Sequence, residues 1–138
     1  MAAKVEMLGR LPLFAHLGRR DLEALAARCE EVDVAAGKVL ARQGDYGAEF
    51  FVIAEGAVSV ERDGVALREM GPGASFGELA LLANIARTAT VTTTTPSRLV
   101  IIGAREFAAL RHDHPEIESS LLKTVAERLA KLEQDRPH

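Results

Sequence analysis

The chain has 138 residues, 48% of them hydrophobic and 27% charged, with a formal net charge of -3 and one cysteine. A chain this long buries roughly two-thirds of its unfolded surface, so its core needs neither a disulfide nor a metal. No apolar run of bilayer length and no signal-peptide core is present, and a mildly acidic chain with 4% aromatics has neither the basic stripe nor the stacking rings of a nucleic-acid surface.

The expectation is a single cytoplasmic domain over residues 1–138, made of a helical segment (7–30), a β-region (31–102) and C-terminal helices (104–134). Around Pro12, the residues Leu11, Leu13, Phe14 and Leu17 suit a short helical turn. Leu22, Leu25, Ala26 and Cys29 then follow the i, i+3, i+4, i+7 spacing of a helix face, with Gly18 as a candidate N-cap. Cys29 on that stripe reads as a packed thiol, since no His or Lys lies near it in sequence to activate it.

From Glu31 to about Ile102, short runs rich in Val, Ile, Phe and Thr are separated by glycine at intervals of about ten residues, an all-β rhythm. The runs are VDV to Gly37, KVLARQ to Gly44, EFFVIAE to Gly56, AVSVERD to Gly64 and VALREM to the Gly71-Pro72-Gly73 turn. TATVTTTT and RLVII follow an interruption. Val58 and Val60 alternate with Ser59 and Glu61, as in a strand with one face in water, and Asp63-Gly64 is a two-residue hairpin signal. Seven or eight such strands predict a sandwich or barrel.

Beyond them EFAALR offers a short helix, and a longer one starts at Pro115 with Glu116 and Glu118 near its positive end. Ile117, Leu121, Leu122, Val125, Ala126, Leu129 and Leu132 mark its apolar stripe. Such a stripe covers the β-core, a partner helix or a bound ligand.

The interruption, GPGASFGELALLANIARTATV over residues 71–91, carries the chemistry. Gly77 permits a sharp turn, Glu78 follows, and LALL forms a short helical turn whose first amides lack carbonyl partners. Those amides and the nearby Arg87 make an anion clamp, specifically one for phosphate. Glu78 would repel a phosphate unless it faced a neutral donor such as a sugar hydroxyl. Phosphate and hydroxyl together point to a nucleotide.

FGELALL followed by RTATV resembles the phosphate-binding cassette of the cyclic nucleotide-binding domain family, found in catabolite-activator-type regulators, cyclic-nucleotide-dependent kinases and gated channels. The likeness covers about residues 8–132, and Gly44, Gly56 and Gly77 match the family's glycines. It implies a mainly β fold with flanking helices: an antiparallel, jelly-roll-like β-roll, with a short cassette helix and C-terminal lid helices. It also implies a cyclic phosphate held by Arg87, the backbone of Gly77, Glu78, Leu79 and Ala80, and the Thr88 hydroxyl. Glu78 would hold the ribose 2′-hydroxyl, and Ala89 would be small to let the chain pass close to the phosphate. Val60 and Met70 would face the purine. Arg128, with Leu132 one turn on, would cap it, or Arg128 would be a solvated surface charge. One departure is Ala86, where the family usually has proline. Thr88 permits cGMP, with cAMP favoured. A ligand of about 22 non-hydrogen atoms gaining about 0.3 kcal/mol each would bind with micromolar affinity.

The expected partners are thus a small cyclic nucleotide and an effector, such as a channel, reached through the C-terminal helix, with no nucleic acid and no membrane insertion. Since nothing follows residue 138, a helix-turn-helix output is not expected. The channel-like final helix suggests the regulatory domain of a membrane protein. The alternative is a ligand-free interaction or dimerisation module. Catalysis, a metal and a cofactor are not expected. GPGASFG has one residue too many between its second and third glycines for a dinucleotide fingerprint, and His16, His112, His114 and His138 fall outside the strands.

Overall fold

A computed structural model describes residues 2–81 and 86–134; the side chains of residues 2, 79, 80, 124, 125, 128, 129 and 131–134 lie outside the description. The helices are α1 (Ala2–Gly9), α2 (Arg19–Arg28), α3 (Ala104–Asp113) and α4 (Pro115–Gln134). The strands are β1 (Glu30–Val34), β2 (Val39–Ala41), β3 (Glu49–Glu55), β4 (Val58–Arg62), β5 (Val65–Met70), β6 (Ser75–Phe76), β7 (Thr90–Thr93) and β8 (Ser97–Gly103). Short 3-10 helices cover Pro12–Phe14 and Glu78–Leu81. The chain divides into two compact units, Arg28–Ala108 and Met1–Ala27 with Ala109–His138.

The first unit is the predicted mainly antiparallel β fold. One sheet has the order β1-β8-β3-β6, the other β2-β7-β4-β5, and every pairing is antiparallel. Phe51, Ile53 and Leu99 from one sheet and Ala41, Val58, Val60 and Val91 from the other form one buried core. Alternation along β4 sends Val58 and Val60 inward and leaves Glu61 outside, which fixes its register, because a slip of one residue would turn both valines to water, whereas β3 and β8 bury apolar residues on both faces.

Turn chemistry fixes the rest. Asp63 and Gly64 have φ of 54° and 79°, the double left-handed pair of a type I′ hairpin. Gln43 clasps that turn, its amide donating to Asp63 Oδ1 and accepting from the Asp63 amide, both at 2.8 Å. Buried Thr93 pins the turn at Gly37: its hydroxyl donates to the Ala35 carbonyl at 2.7 Å and accepts from the Lys38 amide at 2.8 Å. Gly56 combines φ +98° with contact against Ser97, whose Cα would lie 2.7 Å from an added Cβ.

Some elements differ from expectation. β2 keeps three residues of KVLARQ, because its register shifts between Val39 and Ala41 and the Gln43 amide bonds the Thr90 hydroxyl instead of a ladder carbonyl. β6, two residues long, gave no periodic signal. Cys29 is buried as expected, but one residue beyond the end of α2.

In the second unit α1 begins at Ala2, ahead of the predicted segment, in a run of good helix formers whose Val5 and Leu8 are buried. The Gly18 carbonyl accepts from the Leu22 amide at 3.0 Å, as an N-cap residue does. α4 begins at Pro115 and lies against the Pro12–Phe14 turn. His114 Nδ1 is 3.0 Å from Asp21 Oδ1. Ile117 and Leu121 are buried, but Leu122 is 50% exposed, one residue around the helix from Leu121 and off the buried face.

Gly56→Ala should destabilise the chain by about 2 kcal/mol or more, combining left-handed strain with a backbone collision. Urea unfolding followed by circular dichroism reads the loss.

Candidate functional site

The site is assembled by β3. This strand pairs with β8 on one side and β6 on the other, so Phe51 lies opposite Phe76, and their rings stack with centroids 4.8 Å apart. Gly77 follows Phe76 directly and is thereby delivered beside Glu49. Its φ of +86° lets the chain turn there, and an added Cβ would sit 2.7 Å from the Glu49 carbonyl oxygen and 2.6 Å from Arg87 Nη1. Any side chain at 77 would therefore be strained and in collision.

Arg87 enters from the opposite direction, just ahead of β7. Its amide donates to the Asp45 carbonyl at 2.8 Å and its carbonyl accepts from the Gly44 amide at 2.9 Å, tying it to the loop between β2 and β3. Its half-buried guanidinium donates from Nη2 to the Glu49 carbonyl at 2.8 Å and lies 5.9 Å from the centroid of the Phe51 ring. Burial pulls its pKa below the ordinary arginine value, opposed in part by the carboxylates of Glu49 and Glu78. Arginine stays protonated regardless, so the shift reports a charge stripped of some of its water. No carboxylate of the described residues lies within ion-pair distance of it. A half-buried guanidinium bonded to a single carbonyl still has donors to offer, and an oxyanion fits that fork.

A cavity of about 290 Å³ opens on this group, near the lower end of small-molecule sites. Val39, Leu40 and Ala41 form its apolar wall, while Arg42, Asp45, Tyr46, Gly47, Glu49 and Arg87 form its polar rim.

The sequence-derived residues fall into groups. Gly77 and Arg87 meet, with Glu78 near enough to act on the arginine charge. Thr88 is exposed beside Arg87, and its carbonyl accepts from Arg62 Nε at 3.1 Å. Ala89 is half-buried against the inter-sheet core. Val60, 4% exposed, and the partly buried Met70 belong to that same core; neither lines the Arg87 cavity. Leu79 and Ala80 lie on the Glu78–Leu81 3-10 helix and Arg128 and Leu132 on α4, but their side chains are outside the described residues. The loop residues 82–85 are outside them altogether.

Sequence reasoning missed Gly47, Glu49 and Phe51. A Cβ at Gly47 would fall on the Arg87 guanidinium, with Nη2 at 2.5 Å and Cζ at 2.6 Å. Only the second glycine of GDYG hinted at this, because the approach joins positions 40 residues apart. Among the described residues no cluster of His, Cys, Asp and Glu could hold a metal ion.

A family profile described as the cyclic nucleotide-binding domain matches residues 31–114. The chain is 36% identical over 123 residues to a cyclic nucleotide-gated potassium channel of Mesorhizobium japonicum, covering 89% of this chain and 34% of the channel. It is similar in structure to the N-terminal domain of a transcriptional regulator from Streptomyces coelicolor A3(2), with TM-score 0.84, 36% identity and 94% of each chain covered. It is similar also to the regulatory domain of Toxoplasma gondii PKA with cAMP, with TM-score 0.73, 32% identity, and 79% of this chain and 43% of that one covered. The chain thus spans about a third of the channel's length.

Gly47→Ala should displace the Arg87 side chain without unfolding the roll, since the three nearest atoms to its Cβ belong to that flexible guanidinium. The Arg87 Nε–H resonance should move, while the melting temperature stays within about 3 °C of wild type.

Proposed function

Because this chain belongs to the cyclic nucleotide-binding domain family, we propose that it is a cytoplasmic sensor that binds cAMP in preference to cGMP and relays binding through its C-terminal helices to an effector. The observation that carries the ligand reading is the half-buried Arg87 guanidinium, which opens on a cavity and has no carboxylate of the described residues in ion-pair range. A cyclic phosphate brings the charge that this group lacks, in a form that accepts two parallel N–H bonds. Glu78 then serves the neutral ribose hydroxyl, the role in which a carboxylate beside a phosphate is an asset. Thr88, exposed next to Arg87, supplies a hydroxyl to the phosphate and, with the base syn, to a guanine amino group. For the base, the family resemblance assigns Val60 and Met70, which pack in the inter-sheet core and not on the Arg87 cavity, and a cap from Arg128 or Leu132. The likeness to a regulatory domain determined with cAMP supports cAMP as the ligand.

The relay requires that nucleotide bind one arrangement of residues 104–134 more tightly than another. A tenfold difference is worth about 1.4 kcal/mol, which one capping contact can supply. A channel is the effector favoured by the likeness to a cyclic nucleotide-gated potassium channel. Among the described residues no helix is long and apolar enough to cross a membrane, so any such channel would be reached as an attached or partner element. Chemistry on the nucleotide forms no part of this reading, and the relatives are regulators and channels by name.

Isothermal titration with cAMP and cGMP tests the reading. Both should bind, cAMP the tighter. Arg87→Ala should weaken cAMP by about 10- to 150-fold, the worth of a charge-assisted contact of about 1.5–3 kcal/mol. Thr88→Ala should weaken cGMP more than cAMP, and amide exchange across α4 should slow on binding. A folded sample silent to both nucleotides at millimolar concentration would establish the interaction module instead.

A further inference from the structure

We propose that Tyr46 is a second phosphate-directed group, whose hydroxyl donates to an oxygen of the anion held by Arg87; this rests on the nucleotide-binding reading and extends it. Three observations place Tyr46 beside that anion site. Tyr46 lines the same cavity as Arg87. Its backbone is bridged to Ala86, the residue before Arg87. The two hydrogen bonds of the Arg87 backbone, to the carbonyl of Asp45 and from the amide of Gly44, hold the loop that carries it, at 2.8 and 2.9 Å. The loop and the arginine are therefore braced together at the backbone, which keeps the Tyr46 main chain beside the cavity.

Packing does not account for the ring. Tyr46 is 70% exposed, and its hydroxyl bonds to no described residue. The other wall groups reinforce the assignment. Asp45 and Glu49 offer only acceptors to a phosphate and repel it, whereas a neutral phenol donates without adding charge. A hydrogen bond to a charged oxygen is stronger than one between neutral groups, and its position at an exposed rim reduces its effect. The expected loss on removing the hydroxyl is therefore about three- to tenfold in affinity, smaller than that for Arg87.

The chain has one tyrosine and no tryptophan, so its ultraviolet emission reports Tyr46 alone. Calorimetry with cAMP on the full chain and on Tyr46→Phe and Tyr46→Ala, with tyrosine emission of the wild type, forms the test. Both variants should keep the wild-type melting temperature and bind cAMP about three- to tenfold more weakly, and cAMP should quench the wild-type emission. A Phe variant equal to wild type beside a weakened Ala variant would make the ring, and not the hydroxyl, the contact and overturn the assignment. Two variants equal to wild type, or emission unchanged by saturating cAMP, would overturn it as well while leaving the nucleotide-binding reading intact. A wild type that binds no cAMP would remove both.

Discussion

The Arg87 guanidinium is the constraint around which the centre of the roll is arranged. A charge drawn partly out of water must be bonded, and here a backbone carbonyl, Glu49, accepts from it while the Phe51 ring lies beneath. A carboxylate partner would have been electrostatically stronger, but it would have cancelled the charge. A carbonyl orients the group and leaves it positive, so satisfaction and availability coexist. That arrangement requires bare backbone on two sides, because the space a Cβ would take at Gly47 or Gly77 is filled by the guanidinium itself. The two glycines belong to different connections, and only the pairing of β3 with β6 and the braces from Gly44 and Asp45 bring them to one arginine.

The sheet framework makes this reproducible. Phe51 lies on a strand paired on both sides and packs in the inter-sheet core, and Glu49, two residues before it, pairs with Gly103 of β8. Thr93, Gln43 and the Asp63-Gly64 turn close the other sheet with side-chain hydrogen bonds where the ladder gives out. In both cases a polar group sits where backbone groups would otherwise lack partners.

Local signals in the sequence specify these strands and turns directly. β3 and β5 match EFFVIAE and VALREM residue for residue, and the Asp63-Gly64 turn has the backbone its composition demands. Gly77 and Arg87 were singled out because their chemistry is unusual in a β-region. Phe51, Glu49 and Gly47 were not, because each acts through contact with a residue distant in the chain and each looks locally ordinary: a core aromatic, a strand residue and a loop glycine. β6 escaped because two residues carry no period. Leu122 shows the converse error, an apolar residue assigned to a stripe that the helix's rotation turns outward.

Under the proposed function, the balance of charge at the cavity also bears on which phosphate it would take. Arg42, Arg87, Asp45 and Glu49 lie on the rim and Glu78 acts on the Arg87 charge from outside it, so the groups sum to two positive and three negative charges. A phosphate monoester with two negative charges meets repulsion from every carboxylate in proportion to its charge, yet it gains no more hydrogen bonds from the one arginine fork than a diester does. In the proposed reading a cyclic diester carries a single negative charge and presents two exocyclic oxygens to that fork. Net charge over the whole chain is blind to this distinction. In the proposed reading, the ionised groups at and near the cavity favour the singly charged, ring-closed nucleotide over its doubly charged, linear form.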